Sequence, residues 1–385
     1  MDFIESKIHL INDQINSNFQ KTTEIGALGG LSGLALFNFQ YSRVFNKETT
    51  IGSTILEKCV LKINEGYAKP TYCNGIIGLA WVINFLIKEN FIDVSNNEIL
   101  YDIDNYNHDW IKYSIKEKNF DFFHGAIGYI NYSIDRYNNS TNIKAIEKIE
   151  ESITLFLNFL SELISKIELF PSGSKKTDIK MSFENNVIFG IAHGISSIIF
   201  ILNKISIIPK FNLKTQLLSD QYVTYLLNYK DDKNSGISLF PNFLSQKGIV
   251  KYQSALSWCS GDLGIGINLL NTYVRYNHNE NYKLAGIEIL EHASQRTSFE
   301  KSFLKSNCLC HGFLGAYKIF SDAYKITKKE EFLKASNYWL ELAIKDITIN
   351  DDSDLTILNG LSGIGLALLD IFDSKKLNWG ECLFL

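Results

Sequence analysis

A short turn that returns seven times constrains this chain more than any other feature. Gly-x-x-Gly opens an apolar run as "GLSGLALF" from Gly30, "GIIGLAWVINFL" from Gly75, "GAIGYINYSI" from Gly125 and "GISSIIFIL" from Gly194. It continues as "GDLGIGINLL" from Gly261, "GFLGAYKIF" from Gly312 and "GLSGIGLALL" from Gly360. Only the fourth copy lacks its second glycine, where Ser197 stands instead. The leading glycines are 45, 50, 69, 67, 51 and 48 residues apart, with the two long intervals side by side. A period of this size marks an array of like structural units, each too small to bury its own apolar face.

After each turn the sequence is apolar almost all the way round, as a helix buried on every side requires. Between turns lie helices with a single apolar stripe. In 143–167, Ile143, Ile146, Ile149, Ile153, Phe156, Leu160, Leu163 and Ile167 recur at spacings of 3 or 4. The segments 283–293 and 331–344 read the same way. Each unit is then a buried helix followed by an amphipathic one. Seven buried helices ringed by seven half-buried ones give an all-α (α/α)7 toroid, a single domain over residues 1–385. The glycines suit a tight opening turn where inner helices crowd together. All four prolines fall between the presumed inner helices. The long intervals hold "LFPSGSKKTDIKMSFENN" and "LFPNFLSQKGIVKYQ", read as long loops between units three and four and units four and five, with short strands possible within them.

Charge excludes one class of partner. Lysine and arginine total 38 against 42 acidic residues, a net of -4, and no basic block stands out. Nucleic acid is not an expected partner. The opening "MDFIESKIHLINDQINSNF" has early acids where a secretory signal carries basic residues, and no stretch approaches the roughly 20 apolar residues of a membrane span. Six cysteines are too sparse for a disulfide framework, which makes a reducing cytoplasm the expected location.

Because every inner helix begins at its turn, the residues just before each leading glycine gather at one mouth of the ring. The second residue before it is Leu28, Cys73, Phe123, Ala192, Cys259, Cys310 or Leu358; the first is Gly29, Asn74, His124, His193, Ser260, His311 or Asn359. Units five and six are neighbours, so Cys259 can meet Cys310 and His311. Two thiolates and an imidazole leave one position open, the pattern of a catalytic rather than a structural zinc site. His193 of unit four adjoins Cys259, and Asp121 and His124 of unit three come next. Asp121 can equally cap its turn, and His193 and His124 can be turn histidines. Cys73 shares the register but lies across the mouth, beyond ligation. Cys59, Cys73 and Cys382 suit core positions, and Cys308, one residue out of register, reads as packing.

With these residues in view, the sequence resembles the lanthionine synthetase C-like (LanC) family, the class I lanthipeptide cyclases. The likeness spans the whole chain and rests on the seven turns, "WCSGDLGIG" at 258–266, "CHGFLG" at 310–315 and "AHGIS" at 192–196. It implies one zinc ion on Cys259, Cys310 and His311, with the fourth position open to water or a substrate thiol. It implies acid–base roles for His193 and, through "DFFHG", Asp121; His124, Ser260 and Trp258 become candidates to line the substrate site. The implied reaction adds peptide cysteine thiolates to dehydroalanine or dehydrobutyrine in the same chain, forming thioether rings. The implied partners are a dehydrated precursor peptide, with a lanthipeptide dehydratase and a membrane exporter as further candidates at a peripherally attached complex. Two positions depart from the family: Ser260 replaces a common tyrosine and Ala255 a common arginine. These departures keep open a non-catalytic, zinc-containing scaffold or a thiol- or glutathione-binding protein. A prenyltransferase would need a basic pocket, which the mouth positions lack. A glycoside hydrolase would need facing carboxylates, for which Asp121 and Asp262 are the nearest pair.

Overall fold

The structure, a computed structural model, describes residues 2–93, 98–168, 187–232, 236–245, 251–373 and 377–385. Helix α1 (Asp2–Asn18) precedes the first turn. Then come α2 (Leu31–Phe45) with α3 (Thr50–Asn64), α4 (Ile76–Lys88) with α5 (Glu98–Lys116), and α6 (Ala126–Asn139) with α7 (Ile143–Glu168). Next are α8 (Ile195–Ile205) with α9 (Asn212–Leu227) and α10 (Asp262–Thr272) with α11 (Glu280–Ser294). A one-turn α12 (Phe299–Ser302) leads into α13 (Phe313–Thr327) and α14 (Glu330–Asp346), and α15 (Leu361–Phe372) is the seventh inner helix.

The inner helices close a ring: α2 packs on α4, then α6, α8, α10, α13 and α15 follow in order, and α15 returns to α2. Every residue of α8 and of α10 is buried. In the outer α7, by contrast, Ile149, Ile153, Phe156, Leu160 and Leu163 are buried while Ile143 at its start is exposed. One expectation changes. The amphipathic helix does not always follow its buried partner, because α15 is covered by α1 from the other end of the chain. The apolar back of the last inner helix needs a cover, and α1 supplies Ile8, Ile11 and Ile15.

The first expected loop stretch, 169–186, lies outside the described residues, as does 246–250 of the second. Directly after the first, β1 (Val187–Ile188) pairs antiparallel with β2 (Phe243–Leu244) in the register Val187↔Leu244. No described helix is long and apolar enough to cross a membrane.

The glycines act through close approach rather than unusual dihedrals. A Cβ on Gly78 would stand 1.9 Å from the Tyr72 carbonyl oxygen, and one on Gly264 1.9 Å from that of Trp258. The turn therefore folds back on the first helical residues, and at these positions a side chain would meet the backbone. Ser197 holds the equivalent place in unit four, its hydroxyl donating to the Gly194 carbonyl at 2.6 Å.

This folding-back exposes the peptide groups before each glycine to the neighbouring unit, where they form a girdle. Leu28 N–H donates to Cys73 O (3.1 Å), Cys73 N–H to Phe123 O (3.0 Å) and Ala192 N–H to Cys259 O (3.0 Å). Cys259 N–H donates to Cys310 O (3.4 Å), Cys310 N–H to Leu358 O (3.1 Å) and Leu358 N–H to Leu28 O (3.3 Å). All are the second residue before a leading glycine.

The final residues plug the hole of the ring. Phe384 is fully buried and stacks between Phe122 and Phe200, with centroids 4.0 and 4.1 Å away. Tyr72 O–H donates to Cys382 O, Trp258 indole N–H to Leu383 O and Asn271 to Phe384 O. Beyond the plug, at the C-terminal ends of the inner helices, lies a cavity of about 830 Å³. Its lysines are neutralised in place: Lys204 by Asp135 at 2.7 Å, Lys318 by Asp322 at 2.9 Å and Lys88 by Glu381 at 2.9 Å. Removing the plug's central ring should be costly. Phe384→Ala is expected to lower the unfolding free energy by about 3–5 kcal/mol, measured by urea denaturation.

Candidate active site

The girdle decides which side chains meet. Trp258 N–H and Cys259 N–H both donate to Cys310 O, so units five and six are clamped at the residues that carry sulfur. The ligating atoms of Cys259, Cys310 and His311 all lie within 4.8 Å of one another, a set able to hold a metal ion. Cys310 is buried, Cys259 half-buried and His311 exposed, so the group opens toward the mouth. Both thiols stand just ahead of a helix, at the starts of α10 and α13, where the peptide dipoles favour negative charge.

The protons of this group are unevenly held. Hydrogen bonding from Cys310, with help from His311, Ser257 and Ser260, outweighs burial and holds the Cys259 thiol well below its ordinary value. Cys310 faces that anion and is pushed up by it and by burial. Hydrogen bonds to Cys259 and Cys308 push the His311 imidazole up to about 10 despite partial burial.

Between units three and four the girdle has a different link. Instead of a bond joining Phe123 to Ala192, the Asp121 carboxylate meets His193 Nδ1 at 2.5 Å. The other Asp121 oxygen accepts Phe123 N–H (2.7 Å) and His124 N–H (2.8 Å). Asp121 thus caps its turn with one oxygen and holds the histidine with the other. The Phe123 ring stands edge-on to His193 with centroids 4.8 Å apart, fixing the imidazole plane. Burial alone would lower the His193 pKa, but the hydrogen bond and charge of Asp121 outweigh it and raise it. The contact with Asp121 engages Nδ1 and orients the imidazole.

Other residues fall elsewhere. Trp258 is 1 % exposed and stacked near Phe123, so it underlies the site rather than lining it; its indole is turned to the plug. His124 and Ser260 are half-buried at the mouth. Cys73 is buried outside the ligand group, its thiol pushed up to about 12 by burial. Cys308 is closer to the chemistry than its register suggests: its sulfur accepts the His311 backbone N–H at 3.5 Å and lies 3.3 Å from Ser306 Oγ. Asp262 is sealed at 0 % exposure, accepting Leu239 N–H and Phe240 N–H and pairing with Arg296 at 3.3 Å. Nothing of it faces the mouth, so no two-carboxylate site forms with Asp121. Sequence reasoning passed over Ser257, which lies against Cys259; its one signal was a place one residue before the Trp-Cys pair.

A toroid of this kind with a two-cysteine, one-histidine group at its mouth defines a class, and the chain belongs to it: the lanthionine synthetase C-like protein family matches residues 24–384. Among solved structures it is similar to one described as nisin cyclase, with a TM-score of 0.73 at 19 % identity, covering all of this chain and 98 % of that one. At that identity the likeness shows a shared fold. No curated protein sequence matches the chain.

The Asp121–His193 pair makes a pH prediction. The raised histidine pKa adds stability that is complete below the unfolded value of about 6.5 and is lost as pH rises through the folded value. In Asp121→Asn the His193 resonance should titrate below its native midpoint in an NMR titration. The stability deficit of that variant should be greatest in the acidic range and shrink toward alkaline pH.

Proposed function

We propose that this protein is a zinc-dependent lanthipeptide cyclase. It would add cysteine thiolates of a dehydrated precursor peptide to dehydroalanine or dehydrobutyrine in the same peptide, giving lanthionine or methyllanthionine rings. The observation that carries this reading is the meeting of Cys259, Cys310 and His311 beside the Asp121–His193 pair, in a chain of the lanthionine synthetase C-like family.

The donor set fits the ion. Two sulfurs and one imidazole nitrogen suit zinc, and three protein ligands leave a position for a fourth. Cys259, Cys310 and His311 would hold it, and a bound zinc ion keeps a substrate thiol as its thiolate at neutral pH. Such ligands bind as thiolate and neutral imidazole, so binding releases protons and affinity should rise with pH.

The chain's own residues supply the rest. Attack by sulfur on the β-carbon forms the carbon–sulfur bond and moves the double-bond electrons onto the carbonyl as an enolate. His193, held protonated by Asp121, gives its Nε2 proton to the α-carbon, and the neutral imidazole recovers a proton from solvent. Asp121 holds the ring through Nδ1. The helix starts around the mouth favour the anions that form there.

Ser260 and Ala255 are the observations behind a scaffold or thiol-binding role, and one experiment separates the two readings. The zinc-loaded protein is incubated with a dehydrated precursor, and free thiols are counted by alkylation because cyclisation leaves the mass unchanged. Thiol loss is expected for the native protein; thiols that persist with zinc bound favour the scaffold. Cys310→Ala should lose stoichiometric zinc and leave the thiols free. His193→Asn should keep zinc and slow cyclisation by about 10²–10⁴-fold.

A further inference from the structure

We propose that Ser257 and Ser260 form a hydroxyl clamp on the Cys259 sulfur, positioning it and setting how strongly it donates to a bound cation. This inference rests on the zinc reading above. Ser257 Oγ lies 3.7 Å from Cys259 Sγ and Ser260 Oγ 3.8 Å, both within reach of a hydrogen bond to sulfur. The two hydroxyls are hydrogen-bonded to each other at 3.2 Å, so they approach the sulfur as a coupled pair.

The surrounding backbone fixes the hydroxyl directions. Ser257 is 1 % exposed, and its N–H donates to Ala255 O at 2.9 Å. Its Oγ accepts the Ser260 backbone N–H at 3.4 Å, which uses one lone pair and leaves the hydroxyl proton to find an acceptor. A thiol at Cys259 can donate to these oxygens, but a thiolate reverses the direction. The anionic sulfur is then the strongest acceptor within reach, and it draws the hydroxyl proton that the Ser257–Ser260 hydrogen bond does not use, while that bond holds the second hydroxyl behind the first.

Two consequences follow for a thiolate ligand. Hydrogen bonding to its lone pairs draws density from sulfur, so the ion it binds stays more electrophilic than two unshielded thiolates would leave it. It also fixes the Cys259 side chain in the orientation that faces Cys310 and His311, the work that outer-sphere groups do at metal sites. Serine at 260 is what permits this. A tyrosine, as the family commonly has there, carries its hydroxyl at the far end of a ring, away from the adjacent sulfur. The departure from the family at this position thus places a hydroxyl against a metal ligand.

The test compares native protein with Ser257→Ala, Ser260→Ala, the double alanine variant and Ser260→Thr. Zinc affinity is measured by competition with a chromogenic chelator. The thiolate-to-metal charge-transfer band is recorded after cobalt(II) substitution, and circular dichroism verifies the fold. Each alanine variant should bind zinc about 10-fold more weakly, and the cobalt band should move to lower energy as sulfur density rises. Ser260→Thr, which keeps a hydroxyl, should match the native band. An unchanged affinity and an unmoved band in the double variant would overturn the clamp while leaving the zinc reading intact. A native protein that takes up neither zinc nor cobalt would overturn both.

Discussion

The backbone hydrogen bonds that join neighbouring units two residues before the glycine, at every junction but that of units three and four, are what the rest of this molecule depends on. Each is worth only about 1 kcal/mol net. They lie beneath the mouth among buried residues, however, where an unpaired peptide group is more costly than the bond is worth. The girdle therefore has one arrangement, and it fixes the side chains at those positions to within a bond length or two. Cys259 and Cys310 meet because Cys259 N–H and Trp258 N–H share the Cys310 carbonyl. The ligand pair is a by-product of how the ring is stitched.

The girdle is interrupted where the acid–base pair sits. From unit three to unit four the connection runs through Asp121 and His193 side chains. One carboxylate does two tasks, capping a turn through one oxygen and orienting an imidazole through the other. The structural and the chemical readings of Asp121 are thus both correct. The same link that replaces a backbone bond raises the histidine pKa.

The two ends of the ring have opposite characters for a physical reason. At the mouth, helix starts favour anions, and sulfur, imidazole and hydroxyl groups collect there. At the far end, lysines and carboxylates neutralise one another around the cavity. The plug from Cys382 to Phe384 divides the two, and through Trp258 it supports the residue beside Cys259.

Seven Gly-x-x-Gly turns, read with helical periodicity, were enough to determine a closed ring of inner and outer helices, because each unit has an apolar face that only its neighbours can cover. Register relative to the glycine also determined that Cys259, Cys310 and His311 share one mouth, since a fixed turn fixes where the preceding residues point. What local pattern could not carry were contacts made between distant parts of the chain. That α1 covers α15, that Phe384 fills the hole and that Trp258 faces inward follow from ring closure, which brings residues hundreds of positions apart together. The same holds at finer scale. Ser257 and Cys308 lie off the register of the ligand positions, and they touch the ligand group only because the turn folds back on itself within a few ångströms of sulfur.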